Sequence, residues 1–436
     1  MTIDPGLVPL AFLVMTVLAL LTIPLAAAVF FAGVLLLYLN PDPLPQGFML
    51  SYSLAMRFNS PALISIPLFA LAGELAVAAG ITERLLNVAD VLGGRGRHAV
   101  GARTILGCTL FASVSGVGPA AVTAEGKRLI PEMLRAGYSR EAAAGAIACA
   151  AGLSIIIPAS IPLTIYAGTV GIQTNIVFTA SFFPGLLVAA ALLGAMCVYS
   201  RLRLSERKQR SLAFGRRVLI VRDAAWSLLM PVLVLSSLFT GFFTAPEAAA
   251  FASAYAIGVG AFVHRSIRWL DVREALARAA VTASTVLLMA GVGGLFVMLM
   301  DACGFSARMG DDLYRLAGGR LGSILLMNVV LLFAGCFMDM PAIITLLAPL
   351  LLPLAGKCGL SIPHFGVMVV INIAIGLVTP PQAYNIAAAA KEAGVGIWAA
   401  ARAAVPFLAT MLVCLMVVAY LPELSLWLPL AFGWVF

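Results

Sequence analysis

Apolar residues run in long unalternating blocks, such as Phe183 to Tyr199 and Leu228 to Phe243, and short polar clusters separate them. A transmembrane β-barrel strand would instead alternate over roughly ten residues. The blocks therefore predict helices, which satisfy their own backbone groups in lipid. The pattern is that of an all-α polytopic membrane protein.

Two stretches repeat each other without a gap. Gly137, Ser139 and Pro158 match Gly359, Ser361 and Pro380, and each pair is 222 positions apart. The same offset lays Pro119-Ala120 on Pro341-Ala342 and Pro131 on Pro353. The shared part is an apolar helix interrupted by proline. A duplicated membrane protein whose halves each break a helix at mid-depth is the signature of a secondary transporter with its site between the repeats.

Charge sets the topology. The chain is 62% hydrophobic and 11% charged, against about 25% charged for a soluble domain. Its formal net charge of +8 sits in clusters between apolar blocks, which speaks for orientation in the lipid bilayer and against nucleic acid. The densest cluster, Arg201, Arg203, Arg207, Lys208, Arg210, Arg216, Arg217 and Arg222, is opposed inside that stretch only by Glu206 and should face the cytoplasm. Thr244 with Glu247 three residues on reads as a capping box that starts a helix on the outer side. Met1 to Gly6 carries Asp4 and no basic residue, so the first apolar run is expected to stay in the mature protein.

Counting crossings outward from these anchors gives five regions: 1–58, N-terminal scaffold; 59–200, a first transport repeat; 201–278, a basic loop and linking scaffold helices; 279–424, an inverted second repeat; 425–436, an interfacial tail with Trp427 and Trp434. Residues 5–38 suit one long crossing or two short ones. Each repeat contains three crossings and one re-entrant hairpin of two half-length limbs. The first hairpin, with the tip Ser113 to Pro119, opens from the cytoplasm between Arg95, Arg97, Arg103 and Lys127, Arg128. The second, with the tip Phe337 to Pro341, opens from outside. An odd number of crossings per repeat makes the copies inverted.

Candidate chemistry lies at the breaks. The first crossing contains Ser154-Ile155-Ile156-Ile157-Pro158-Ala159-Ser160, and its partner contains Thr379-Pro380-Pro381 between Asn372 and Asn385. Proline removes a donor and clashes with the carbonyl four residues back, so both helices must open there and leave polar groups that need a ligand or water. Carbonyls and hydroxyls suit a hard monovalent cation, and half-helix N-termini suit an anion. A lone proline kink would be packing; paired breaks in paired repeats favour function. Asp339, on the second tip, is either a helix cap facing water or a coupling acid.

Other polar groups read as bland. Glu125 is expected to pair with Lys127 or Arg128, and His98, His264 and His364 to be interfacial. The seven cysteines have no metal-like spacing and read as small core residues. Glu125-Gly126-Lys127-Arg128 lacks the Gly and Ser/Thr of a P-loop, so no nucleotide site is expected. With no His or paired acids at the breaks, an enzyme is not expected either.

Taken together, Ser115-Gly116 with Pro119-Ala120, Ile157-Pro158-Ala159-Ser160-Ile161-Pro162, Phe337-Met338-Asp339, His364-Phe365-Gly366 and Thr379-Pro380-Pro381 with Asn385 resemble the large membrane subunit (DctM type) of tripartite ATP-independent periplasmic (TRAP) transporters. The resemblance covers nearly the whole chain. It implies an elevator-type importer in the bacterial inner membrane, driven by Na+ and moving an organic acid such as a C4-dicarboxylate. It also implies two partners, a periplasmic binding protein and a small four-helix membrane subunit. By similarity the substrate and Na+ sites fall on Ser113, Ser115, Gly116, Ser160, Asp339, Thr379, Pro380 and Pro381. Val117-Gly118 and Pro158-Ala159-Ser160 stand where the family often has a further hydroxyl and Pro-Pro-Ser, which by the same resemblance implies one Na+ site that relies more on backbone carbonyls or is weaker. A stand-alone carboxylate carrier of related fold is the alternative.

Overall fold

The computed structural model describes residues 5–39, 59–94, 99–115, 118–203 and 214–434. Arg95, Arg97, His98, Gly116, Val117, Glu206, Arg207, Lys208 and Arg210 lie outside the described residues.

The N-terminal block is two helices, α1 (Val8–Leu20) and α2 (Leu25–Tyr38), which fold against each other. Thr22, with φ of 63°, and Pro24 force the turn. The first repeat follows with α3 (Pro61–Ala78), α4 (Ile81–Leu92), hairpin limbs α5 (Ala99–Ser115) and α6 (Gly118–Arg135), the broken pair α7 (Arg140–Ile156) and α8 (Ile161–Val170), and α9 (Thr174–Arg203). The link is α10 (Phe214–Asp223), α11 (Ala225–Phe239) and α12 (Ala245–Val263). The second repeat has α13 (Trp269–Ala302), α14 (Phe305–Leu316), limbs α15 (Arg320–Phe337) and α16 (Met340–Lys357), the broken pair α17 (Ile362–Gly376) and α18 (Tyr384–Ala393), and α19 (Ile397–Tyr420). Helix α20 (Glu423–Ala431) closes the chain, with Trp427 edge-on to Phe183.

The offset read from the sequence recurs in the backbone. From α5 to α9, each helix of the first copy starts within one residue of its partner's start minus 222. Gly137 and Gly359, which end the two hairpins, both take positive φ, 99° and 67°, where a side chain would be strained. Seven described helices are long and apolar enough to cross a membrane, or up to nine if each bent pair is one span.

Helix α3 packs along α12 and α13 and also along α8, and α2 packs on α13. The broken helices pack across the repeats as well: α18 lies on α6 and α7, and α8 lies on the π-helical turn Ile343–Leu347 of α16. Each half-helix thus touches the other copy's hairpin.

At α12 the Thr244 amide and hydroxyl both donate to Glu247 Oε2, at 2.8 and 2.7 Å. That capping pair is the capping box expected from the sequence.

Two expectations need correction. The hairpin limbs are not half-length, because 17 or 18 residues make about 26 Å at 1.5 Å per residue, close to the hydrocarbon thickness. Apolar length alone does not show that a limb turns back. And His364 is not interfacial: it is fully buried, its Nδ1 at 3.2 Å from Ser425 Oγ, because α20 folds back over the start of α17.

Candidate substrate and ion site

The first break is fully buried. Ser154 and Ser160 are at most 1% exposed. Ile157 leaves the helix with ψ of 141°, and Ala159 adopts φ of 72°. A left-handed alanine costs on the order of 1–3 kcal/mol and persists only where its surroundings impose it. The second break runs from Gly376 to Ala383, and Ala383 also has positive φ, 37°. The axes of α7 and α8 differ by 41°.

Fewer backbone groups are free than the prolines suggest. The Ser160 hydroxyl donates to Ile155 O at 2.5 Å, and the Asn385 amide donates to Leu377 O at 2.9 Å. Ser154, Thr379 and Ser113 also turn their hydroxyl protons back onto carbonyls of their own helices, Ala151, Ile375 and Leu110, at 2.6–2.8 Å. Those protons are spent, and the oxygen lone pairs remain for a cation.

The orphaned groups lie beside the second break instead. Asn372 Nδ2 donates to Asn328 Oδ1 at 2.7 Å and to Met368 O at 2.8 Å. Asn385 Nδ2 donates to Ala148 O of the first repeat at 3.1 Å. Both residues are wholly buried, and neither Oδ1 has a hydrogen-bond partner among the described residues. A buried acceptor without a donor costs about 1–3 kcal/mol. Two of them flank one break, and the described residues supply neither with a donor.

The half-helix N-termini complement this. Ser160 opens α8 but spends its hydroxyl on Ile155 O, and Ala383 opens α18 with no side chain able to cap. Ser60 and Ser139, by contrast, cap α3 and α7. The leading amides of α8 and α18 thus have no side-chain cap, as an anion site requires.

The second hairpin reaches its own break. Gln382 N donates to Cys336 O at 3.2 Å, and a Cβ on Gly376 would sit 2.8 Å from Gly335 Cα. Asp339 stands at the N-cap of α16, half-buried, but makes no side-chain capping bond, so capping alone does not explain it. Thr379 and Pro380 are half-buried and Pro381 is exposed. Irregular backbone at membrane depth survives only beside protein or water, and the second break is the more exposed of the two, the first being closed over by protein. Ser115 is the last residue of α5.

A cleft of about 490 Å³ lies elsewhere, lined in part by Gln173, Asn175, Thr244 and Trp434. None of the break residues lines it. It is a crevice at the N-terminal ends of α3, α9 and α12.

Residues 12–424 match the tripartite ATP-independent periplasmic transporter family, DctM component. The chain belongs to this family. It is therefore a TRAP transporter permease of the inner membrane, crossing it several times. It is 33% identical to the C4-dicarboxylate TRAP transporter large permease protein DctM of Pseudomonas aeruginosa, over 84% of this chain and 86% of that one. It is also 33% identical to the isethionate TRAP transporter permease protein DctMQ of Oleidesulfovibrio alaskensis, over 84% of this chain, though it spans only 58% of that protein. The sialic acid TRAP transporter large permease protein SiaM of Vibrio cholerae is 31% identical over 84% of the chain and 86% of its own length. In fold it is similar to the Alcanivorax borkumensis YdaH transporter, with a TM-score of 0.56 at 13% identity over 91% of this chain and 90% of that one.

One residue of this TRAP permease escaped the sequence reading, and the expectation for another needs correction. Asn328 sits inside an apolar limb, and only its buried bond to Asn372 distinguishes it. Glu125 pairs with neither Lys127 nor Arg128. Arg128 holds Asp90 at 2.6 Å and Glu132 at 3.4 Å, while Glu125 is buried against Cys108, because the face of α6 that carries it turns inward. On α4, which is not among the helices long and apolar enough to span a membrane, burial raises the Asp90 pKa and Arg128 opposes that rise.

Proposed function

We propose that this TRAP permease couples Na+ influx to the import of an organic carboxylate that a periplasmic binding protein delivers, working with a small four-helix membrane subunit. The carrying observation is the pair of buried, unpartnered oxygens of Asn372 and Asn385. An all-oxygen donor set of amides, hydroxyls and carbonyls suits Na+. Asn372, Asn385 and Thr379 would hold it, with Asp339 and Ser115 at the tips and Ser160 at the first break as further oxygens. The ion supplies positive charge between the repeats.

The uncapped amides of α8 and α18 suit the carboxylate, attracted by the N-terminal dipoles. The relatives' names support the class: isethionate, C4-dicarboxylate and sialic acid are all organic anions. The crossed packing of half-helices on hairpins supports their moving as one body against α3, α12 and α13, the elevator reading.

Reconstituted in liposomes with both partners, the permease should take up its anion under an inward Na+ gradient without ATP. Equal uptake with choline in place of Na+ would sink the coupling. Uptake by the permease alone would favour a stand-alone carrier.

A further inference from the structure

The first hairpin holds a buried acid that the transport reading does not use. The Cys108 thiol on α5 donates to Glu125 Oε2 on α6 at 2.6 Å, and both side chains are at most 1% exposed. The pair bridges the two limbs. Glu125 Oε1 has no partner among the described residues.

Cations do not reach it. On its own helix, Lys127 points outward and Arg128 is engaged by Asp90 and Glu132. On α5, Arg103 donates to Gly94 O; on α4, Arg84 pairs with Asp223 and stands near Glu83 in sequence. On α7, Arg140 donates to Ala393 O and Glu141 follows it, while Cys149 is a buried free thiol. On α18, Lys391 precedes Glu392, whose Cβ would lie 3.6 Å from a Cβ on Gly126. Cys108 is the one titratable group that touches Glu125 among the described residues. No group of three or more metal-ligating side chains exists among the described residues either.

We propose that Glu125 and Cys108 form a proton-binding latch across the first hairpin. A carboxylate buried against a thiol with no cation would be left uncompensated, so the closed hairpin takes the neutral acid. When the limbs part, water solvates the carboxyl, its O–H bond breaks, and the proton passes to water on the cytoplasmic side. Opening and proton release are then linked: alkaline cytoplasm favours the open hairpin and acid favours the closed one. The idea rests on the transport reading only in that the hairpin opens.

Two measurements test it in the full-length protein. Infrared difference spectra between the parent and Glu125→Gln at neutral pH should show the C=O stretch of a protonated carboxyl; a carboxylate band instead overturns the proposal. In a background retaining Cys108 as the remaining cysteine, a membrane-permeant maleimide should label the parent faster as pH rises. Divided by the Glu125→Gln rate, which corrects for thiol reactivity, the ratio should climb toward about tenfold per pH unit, the limit for one proton per opening. A flat ratio overturns the latch. Should Glu125→Gln fail to insert, Cys108→Ala keeps the acid and must shift its C=O band, and an unshifted band refutes the pairing. Na+-independent uptake would fell the transport reading while leaving the Glu125 band in place.

Discussion

At the scale of single residues, the amide oxygens of Asn372 and Asn385 are the sharpest test of ion binding. Asn385→Ala should raise the Na+ concentration for half-maximal uptake about tenfold or more, since a hydrogen bond or ligand contact to a charge contributes about 1.5–3 kcal/mol and each 1.4 kcal/mol is tenfold. Unchanged Na+ dependence would leave the amide a packing device. Asp339→Asn should cut uptake at least about tenfold, because an acid kept at membrane depth costs about 2.5–3.5 kcal/mol and its side chain does not cap α16. Parental rates in that variant would return Asp339 to trapped water. The prolines made both breaks legible in the sequence. The free oxygens were not, since which amide is left over depends on pairings such as Asn372 with Asn328, 44 residues away, and Asn385 with Ala148 of the other repeat.

At the scale of elements, the repeat offset located every helix from α5 to α9 in its second copy, because insertion-free duplication preserves register. What the sequence misjudged was reach. Limb length follows from caps and turns, whereas the path of a limb through the bundle follows from contacts such as Gly335 on Gly376. Those two backbones touch with no room for a side chain. Gly376→Ala should therefore force α15 off α17, cost about 1–3 kcal/mol as overpacking does, and lower both the thermal midpoint and uptake. Gly356→Ala, whose Cβ would meet nothing within 4 Å, is the matched control. Equal behaviour of the two variants would mean that the limb has slack.

For the whole molecule, inversion of the two repeats is the property on which alternate access depends. Ser139 and Ser361 are related by the offset and lie at the ends of equivalent hairpins. Cysteines placed there in a cysteine-depleted background should label from opposite membrane faces with an impermeant thiol reagent. Labelling of both from the periplasm would make the repeats parallel. A different consequence follows from the folded-back N-terminal pair. Helices α1 and α2 have 13 and 14 residues, about 20 Å each, while Leu10, Leu13, Val17 and Leu20 are exposed along α1. That flank falls short of a bilayer core of about 30 Å, a mismatch that lipid meets by local thinning or side chains by reaching for the interface. The expected consequence is a turnover that falls as the acyl chains of the surrounding lipids are lengthened.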